Sequence, residues 1–290
     1  MKRSVSLILA LLLLLGWVCL PGCGMKAVKE KASVSCPEGS PEPQVPNRPF
    51  PKREKKPSPE QTEQIIGPQP IQLPEPEPSL PLQGEIDPEK PMVALSFDDG
   101  PYSKVTDRIL DTLAQYGAHA TFFVVGDRVA NYASTLRRAV AEGHEIGIHT
   151  WDHSNLTSLN KADIRRQIQA TYQVVLDTAG YQCAVVRPPG GCCSQRVRDV
   201  VGAEGLYLAN WSVDSQDWRS RDAQCVYEEI MSAVKDGAII LCHDLYPSTA
   251  EAMERVVPDL MAQGYQIVSV SELLHYKQGT AEAGKLYRHG

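Results

Sequence analysis

The sequence predicts an α/β domain built on a mostly parallel sheet with helices outside it. Three observations carry this. Short apolar runs alternate with amphipathic helical stretches from about Met92 to Tyr276. Polar clusters fall where the apolar runs end. Proline is also confined: of 22 prolines, 16 lie between Pro37 and Pro91, so only the chain beyond Pro91 can bury a core. The 290 residues, 42% hydrophobic and 22% charged, suit a globular protein of one or two domains. The net charge of −6 leaves no basic excess to neutralise phosphates, which argues against a nucleic-acid partner.

The chain starts with Lys2 and Arg3, then runs wholly apolar from Leu7 to Leu15, extended by Gly16 to Leu20. That is short for a membrane span, which needs roughly 20 residues, and suits a secretory signal. Leu20-Pro21-Gly22-Cys23 resembles a bacterial lipobox, whose Cys is lipidated after cleavage; Pro21 is an unusual occupant. Residues 1–23 are thus expected to be a signal peptide, of lipoprotein type or plainly secretory. The body would lie outside the cytoplasm, secreted or anchored to the outer face of the membrane, touching it only through this segment or its lipid. Residues 24–90 are rich in Pro, Glu, Gln and Lys and too poor in apolar side chains to offset ordering, so they read as a disordered, extended tether. Residues 91–276 form the expected domain, and 277–290 a frayed tail.

Within the domain, Met92 to Phe97 reads as a buried strand and Val105 to Tyr116 as a helix. Ala120 to Val125 is a strand, Arg128 to Glu142 a helix stopped by Gly143, and Glu145 to His149 a strand. Asn160 N-caps a helix to Ala179, with Asp163 three residues on. Further strands are expected at Ala184 to Arg187, Tyr207 to Val213, Ala238 to Cys242 and Gln266 to Val270. Helices at Gln195 to Val201, Ala223 to Val234 and Thr249 to Gln263 separate them. Seven or eight strands fit an open sheet or a distorted barrel.

In parallel α/β folds working groups sit at the carboxyl ends of strands, and five polar clusters fall there. Ser96-Phe97-Asp98-Asp99-Gly100-Pro101 places two carboxylates where Gly and Pro turn the chain; one suits a metal and the other a proton, and a solvated turn is the alternative. His149-Thr150-Trp151-Asp152-His153 holds two imidazoles four apart, as on one helical face, a spacing that a metal can bridge. Two His and one carboxylate leave coordination positions open for water and substrate. Arg187-Pro188-Pro189-Gly190-Gly191 fixes a guanidinium beside a stiff turn; it suits carboxylate orientation, with a bare Gly N–H for an oxyanion, or is simply a structural loop. Asp214-Ser215-Gln216-Asp217-Trp218 and Leu241-Cys242-His243-Asp244 complete the set, and a His with a carboxylate partner suits a general acid. His119, His144, His275 and His289 lack such company and read as ordinary residues.

These five clusters, in this order and spacing, resemble the polysaccharide deacetylase family, the NodB-homology domain of carbohydrate esterase family 4. The resemblance covers about Pro91 to Tyr276. It implies a distorted (β/α) barrel of the NodB type and hydrolysis of an acetyl group, usually the N-acetyl of a hexosamine in a polysaccharide. By resemblance Asp98 is the general base, and Asp99, His149 and His153 are ligands of a divalent metal, usually zinc. Arg187 holds the base, His243 is the general acid and Asp217 supports it. Gly190 offers an oxyanion N–H, while Trp218 and Leu241 wall the acetyl pocket. Two departures matter: Ser96 stands where Thr is usual, and Gly190 replaces an aromatic Tyr, removing a side-chain wall of the groove.

Eight cysteines occur, five of them in the domain, and a bridge involving Cys192 or Cys193 is expected. The function expected is removal of N-acetyl groups from an extracellular aminosugar polymer, with peptidoglycan (GlcNAc or MurNAc) favoured. A chitooligosaccharide deacetylase or an O-acetyl xylan esterase is the alternative, and an inactive carbohydrate-binding relative the least favoured. The polysaccharide is the only partner the sequence indicates, and oligomeric state is not legible in it.

Overall fold

A computed structural model describes residues 86–290. The expected signal segment and nearly all of the expected tether lie outside the described residues. In chain order the elements are β1 (Met92–Asp98), α1 (Ser103–Tyr116), β2 (Thr121–Val124), α2 (Gly126–Val129), α3 (Ala133–Ala141), β3 (Glu145–Ile148), α4 (Lys161–Ala179) and β4 (Val185–Val186). They continue as α5 (Gln195–Ala203), β5 (Tyr207–Ala209), β6 (Val213–Asp214), α6 (Asp217–Ser220), α7 (Ala223–Ala233) and β7 (Ala238–His243). The chain finishes with α8 (Pro247–Ala262), β8 (Gln266–Val268), α9 (Val270–Gln278) and β9 (Leu286–Tyr287).

Every strand pair is parallel, and the strand order is β6-β7-β1-β2-β3-β4-β5-β9, with β8 against the lower part of β1. β5 and β6 lie near opposite ends of this order, yet only Asn210 to Ser212 join them. So short a link requires the sheet to curl until its ends meet. The result is a curled half-barrel with helices outside it, and a single antiparallel bridge, Ala238 to His289, joins the two sides.

Alternation along the strands sorts two cores. Val93, Leu95 and Phe97 of β1 face the helices with Ile109, Leu113, Ile240 and Val256. Met92 and Ala94 face the barrel interior with Phe123, Val185, Tyr207 and Ile239. Continuing that inward row upward gives Ser96 and Asp98, and in β7 it gives Leu241 and His243. The interior therefore changes from apolar at the amino ends of the strands to polar at their carboxyl ends.

Three elements differ from the sequence reading. Tyr207 to Val213 is not one strand, because the chain leaves the sheet at Asn210 and rejoins it on the far side of β7. The single helix expected over Arg128 to Glu142 is broken: a 3-10 turn spans Ala130–Tyr132, and Tyr132 leaves helical geometry at φ −124, ψ 35 with its ring edge-on to Tyr102. The expected frayed tail is ordered, with α9 running to Gln278. Beyond it β9 pairs with β5, and Tyr287 is buried against Tyr207. Among the described residues no helix is long and apolar enough to cross a membrane.

Candidate active site

The site forms where β1, β3, β4 and β7 end. β1 and β7 pair in a register that sets Asp98 beside His243 and Ser96 beside Leu241. Both pairs share the inward face, so one register delivers a carboxylate and an imidazole to the same opening.

Asp98 is held from below. Arg187, wholly buried, reaches across the barrel over the ring of Phe123 and donates from Nη1 to Asp98 Oδ1 at 2.7 Å. Three more of its five donors are placed: Nη1 to Ser96 Oγ at 2.9 Å, Nε to Ala209 O at 3.0 Å, and Nη2 to Asn210 O at 3.1 Å. A guanidinium can be buried only with its donors satisfied and its charge countered. Ser96 completes the relay by donating to Ile240 O at 2.7 Å, so the hydroxyl suffices there without the methyl of Thr. Burial pushes the Asp98 carboxyl above its ordinary value, against the downward pull of Arg187 and His243.

Beside this pair, Asp99, His149 and His153 each bring a ligand atom to within 4.8 Å of the others. His149 Nε2 lies 3.4 Å from Asp99 Oδ1, and His153 Nε2 lies 3.2 Å from it. Asp99 Oδ1 is buried and accepts no hydrogen bond. His149 Nδ1 lies 2.8 Å from Arg187 O, so the ring nitrogen that carries hydrogen donates to that carbonyl and Nε2 keeps its lone pair. Burial, helped by His153, lowers the His149 pKa to about 3, so the ring is neutral. An unpartnered carboxylate oxygen facing two imidazole nitrogens fits a divalent cation of the zinc type.

The sequence reading has the spacing of the two His right and the local structure wrong. Residues 149–153 are a loop, not a helical turn. Thr150 (φ 66) and His153 (φ 61) are left-handed, as is Asp99 (φ 76). These reversals, rather than a 3.6-residue period, bring the rings to 5.1 Å between centroids. Non-glycine residues in this region are strained and recur at functional sites. Arg128, buried, donates to Asp99 O and braces the turn. Gly100 is demanded by crowding, since a Cβ there would strike the Asp244 carboxylate.

On the other side, Asp217 is buried and holds His243 twice. Its Oδ1 meets His243 Nδ1 at 2.7 Å, and its Oδ2 accepts from His243 N at 2.7 Å and from Thr249 Oγ1 at 2.7 Å. Burial lowers the His243 pKa, but Asp217 first, then Asp99 and Asp98, outweigh it and hold the pKa up at about 10. The imidazole is therefore charged at neutral pH, with 14% of its side chain exposed. Trp218 is half-buried, its backbone N–H donating to Asp217 Oδ1 at 2.8 Å, and Leu241 is buried on the inward face of β7.

Gly190, in the 3-10 turn Pro189–Gly191 that follows β4, is exposed and left-handed (φ 62); a Cβ there would meet nothing nearer than Cys192 Sγ at 3.8 Å. Its N–H has no partner among the described residues. Cys192 is disulfide-bonded, in keeping with the bridge expected at Cys192 or Cys193, whereas Cys183, Cys193, Cys225 and Cys242 are free. The residues missed by sequence reasoning are Thr249, Arg128 and Thr106, none of which sits in a motif with a recognisable spacing, and Asp244, which stood in the fifth cluster but was given no role. Thr106 Oγ1 donates to Asp244 Oδ2 at 2.6 Å and accepts from Tyr102 N at 2.8 Å, tying the first and fifth clusters together.

A curled parallel sheet with a carboxylate, a charged imidazole and an Asp-His-His cluster at its carboxyl end defines a class: α/β proteins with a hydrolase-type, metal-compatible site. The polysaccharide deacetylase family model matches residues 85–209. The chain is 40% identical over 200 residues to the peptidoglycan-N-acetylmuramic acid deacetylase PdaC of Bacillus subtilis, covering 69% of this chain and 42% of that protein. It is 38% identical to the peptidoglycan-N-acetylglucosamine deacetylase PgdA of Listeria monocytogenes, covering 67% and 41%. The solved structure of the B. subtilis deacetylase superposes with a TM-score of 0.64, 39% identity and coverage of 67% and 94%. A family 4 acetyl xylan esterase from Clostridium thermocellum, in complex with a cobalt ion, gives 0.64, 35%, 68% and 98%. The chain belongs to the polysaccharide deacetylase family, and it spans about two fifths of the length of the PdaC and PgdA proteins.

Proposed function

We propose that this chain is a metal-dependent hydrolase that removes N-acetyl groups from an extracellular aminosugar polymer, peptidoglycan in the first place. The observation that carries the reading is the pairing of Asp98 with His243 across one strand register, beside a ligand set that fits a cation. Asp99, His149 and His153 would hold that cation, proposed as zinc. When bound, it would polarise the acetyl carbonyl and make water acidic.

The chain's own residues supply the rest. Asp98 has Oδ1 committed to Arg187, which leaves Oδ2 to take a proton from the attacking water. The Gly190 N–H is a donor for the oxygen on which charge develops as the carbon–oxygen bond forms. His243 carries a proton at neutral pH and gives it to the sugar nitrogen as the carbon–nitrogen bond breaks, with Asp217 keeping the ring aimed. Trp218 and Leu241 wall the acetyl methyl. Adjacent Asp98 and Asp99 do not provide the two flanking carboxylates of a glycosidase.

The relatives named for peptidoglycan support that polymer, and the apolar start of the sequence supports an extracytoplasmic location with membrane contact through that segment. The acetyl xylan esterase neighbour supports a second reading, hydrolysis of an O-acetyl ester. The test is acetate release from peptidoglycan, chitin oligomers and acetylated xylan, with chelator and with added zinc. Release from peptidoglycan should require metal and fall about 100- to 10,000-fold in Asp98→Asn. His243→Ala should fall comparably on amides and less on esters, because an alkoxide leaves more readily than an amine. Release that survives Asp98→Asn or chelation overturns the mechanism.

A further inference from the structure

The acid side of the site carries a cation that the proposed hydrolysis does not use. The four-residue helix α6, which bears Asp217 and Trp218, is bounded by two left-handed residues, Gln216 (φ 54) and Arg221 (φ 50). A long side chain in that conformation is costly, on the order of 1–2 kcal/mol, and such strain gathers at ligand clamps. Here it presents the Arg221 side chain back toward the site. The guanidinium lies 3.5 Å over the ring of Tyr246, and that ring is 5.8 Å from the His243 ring. Arg221 Nε donates to Trp218 O at 2.8 Å. No carboxylate pairs with Arg221 among the described residues, and its two terminal nitrogens make no hydrogen bond there. Some other surface guanidiniums of the domain pair with carboxylates, Arg108 with Glu254, Arg138 with Asp111 and Glu142, Arg165 with Glu204; Arg255, stacked over Tyr227, has no carboxylate either, but its Nη1 is committed to Gln224 Oε1 at 2.6 Å. A stacked, exposed guanidinium with one nitrogen anchored and a free two-nitrogen edge is preorganised for a carboxylate, which it binds through two parallel hydrogen bonds.

We propose that Arg221, carried on Tyr246 and the Trp218 carbonyl, is a carboxylate-binding subsite at the rim beside His243, and that it selects anionic aminosugar polymers over neutral ones. The proposal rests on the peptidoglycan reading, since that polymer carries carboxylates and chitin does not. Two sources offer the same chemistry: the lactyl carboxylate of muramic acid, on the carbon next to the one bearing the acetamide, where no peptide is attached, and the peptide's own carboxylates where the lactyl group is amide-linked to it. Arg221 is a specificity residue in this scheme. It touches neither the acetyl carbon nor the proton donors.

The experiment compares the intact chain with Arg221→Gln and Arg221→Lys on three substrates. These are peptidoglycan strands with their peptides, the same strands stripped of peptides by an amidase, and chitin oligomers. Arg221→Gln should raise KM for the anionic strands about tenfold, the equivalent of 1.4 kcal/mol, with the change confined to KM and absent on chitin. Lysine should restore part of the loss, as a point charge without the fork. The KM of the wild type on anionic strands should rise with salt, and that of Arg221→Gln should rise less. An effect confined to stripped strands, where the amidase has freed the lactyl carboxylate, identifies that group; one confined to peptide-bearing strands, where it is an amide, identifies the peptide carboxylates; one on both means that the fork takes either. An equal rise on chitin, a fall in kcat alone, or no change on any substrate overturns the subsite. Strand binding to the Asp98→Asn protein, which needs no turnover, separates the two readings. If the wild type releases no acetate but Arg221→Gln still weakens this binding tenfold, the deacetylase reading fails and the subsite stands. If acetate is released and binding ignores Arg221, the subsite fails alone.

Discussion

Asp217 shows how one buried carboxylate sets the state of a neighbour. Burial raises its own pKa, yet His243 and its hydrogen bonds hold it below the ordinary value, while Asp217 holds His243 up at about 10 against a usual 6.5. A raised imidazole stabilises the fold fully below pH about 6.5, and that contribution is lost as pH climbs through about 10. Asp217→Asn should therefore move the alkaline limb of stability in chelator-treated protein, and of acetate release, to lower pH. Chemical unfolding and rate measurements between pH 6 and 10 check both, and limbs that stay in place would remove Asp217 from its role. At this scale the sequence was legible: the two carboxylates, the His pair, Arg187, Asp217 and His243 all converge. Illegible were the left-handed turns at Asp99, Thr150 and His153, because no glycine marks them and the enrichment of Asp and His at positive φ is too weak to place a turn. Thr249 was equally hidden, since its hydroxyl matters only once α8 is docked against Asp217.

At the scale of elements, helix α9 explains why the end of the chain was misjudged. Ser269 accepts from Glu272 N at 3.2 Å, and the Glu272 carboxylate accepts from Ser269 N at 2.7 Å, a complete capping box. That Ser-x-x-Glu signal stood in the sequence, but Gln266 to Val270 reads as a strand up to its last residue and conceals the helix start. Ser269→Ala should cost about 1 kcal/mol in urea unfolding, with acetate release unchanged below the transition, since α9 lies at the end of the barrel away from the site. The merged reading of Tyr207 to Val213 failed for another reason. The run is apolar but for Asn210 and Ser212, and only the curl of the sheet decides that Asn210 to Ser212 must be a crossing rather than strand. Composition dictates which residues are buried; it does not dictate where one strand becomes two.

For the molecule as a whole, the barrel is secured where β9 and the residues after it meet β5 and β7. Tyr287 is buried edge-on to Tyr207, and its hydroxyl accepts from Glu282 N at 3.0 Å. Tyr287→Ala should destabilise the domain by roughly 3 kcal/mol, read from urea unfolding, and a loss near zero would mean that the seam carries no weight. The same architecture has a temporal side. Asp99, His149 and His153 all come from β1, β3 and the loops after them, so the ligand set is encoded early in the chain. The proposed base and acid are joined differently: β1 and β7 are neighbours in the sheet, but Ser96 Oγ reaches Ile240 O over 144 positions. Contacts of that separation repay their loop entropy late in folding. A chain made from its amino end thus contains the three proposed ligand residues before it contains the proposed proton donor. The proposed turnover therefore waits on the last third of the chain, which brings β7 beside β1 and closes the sheet.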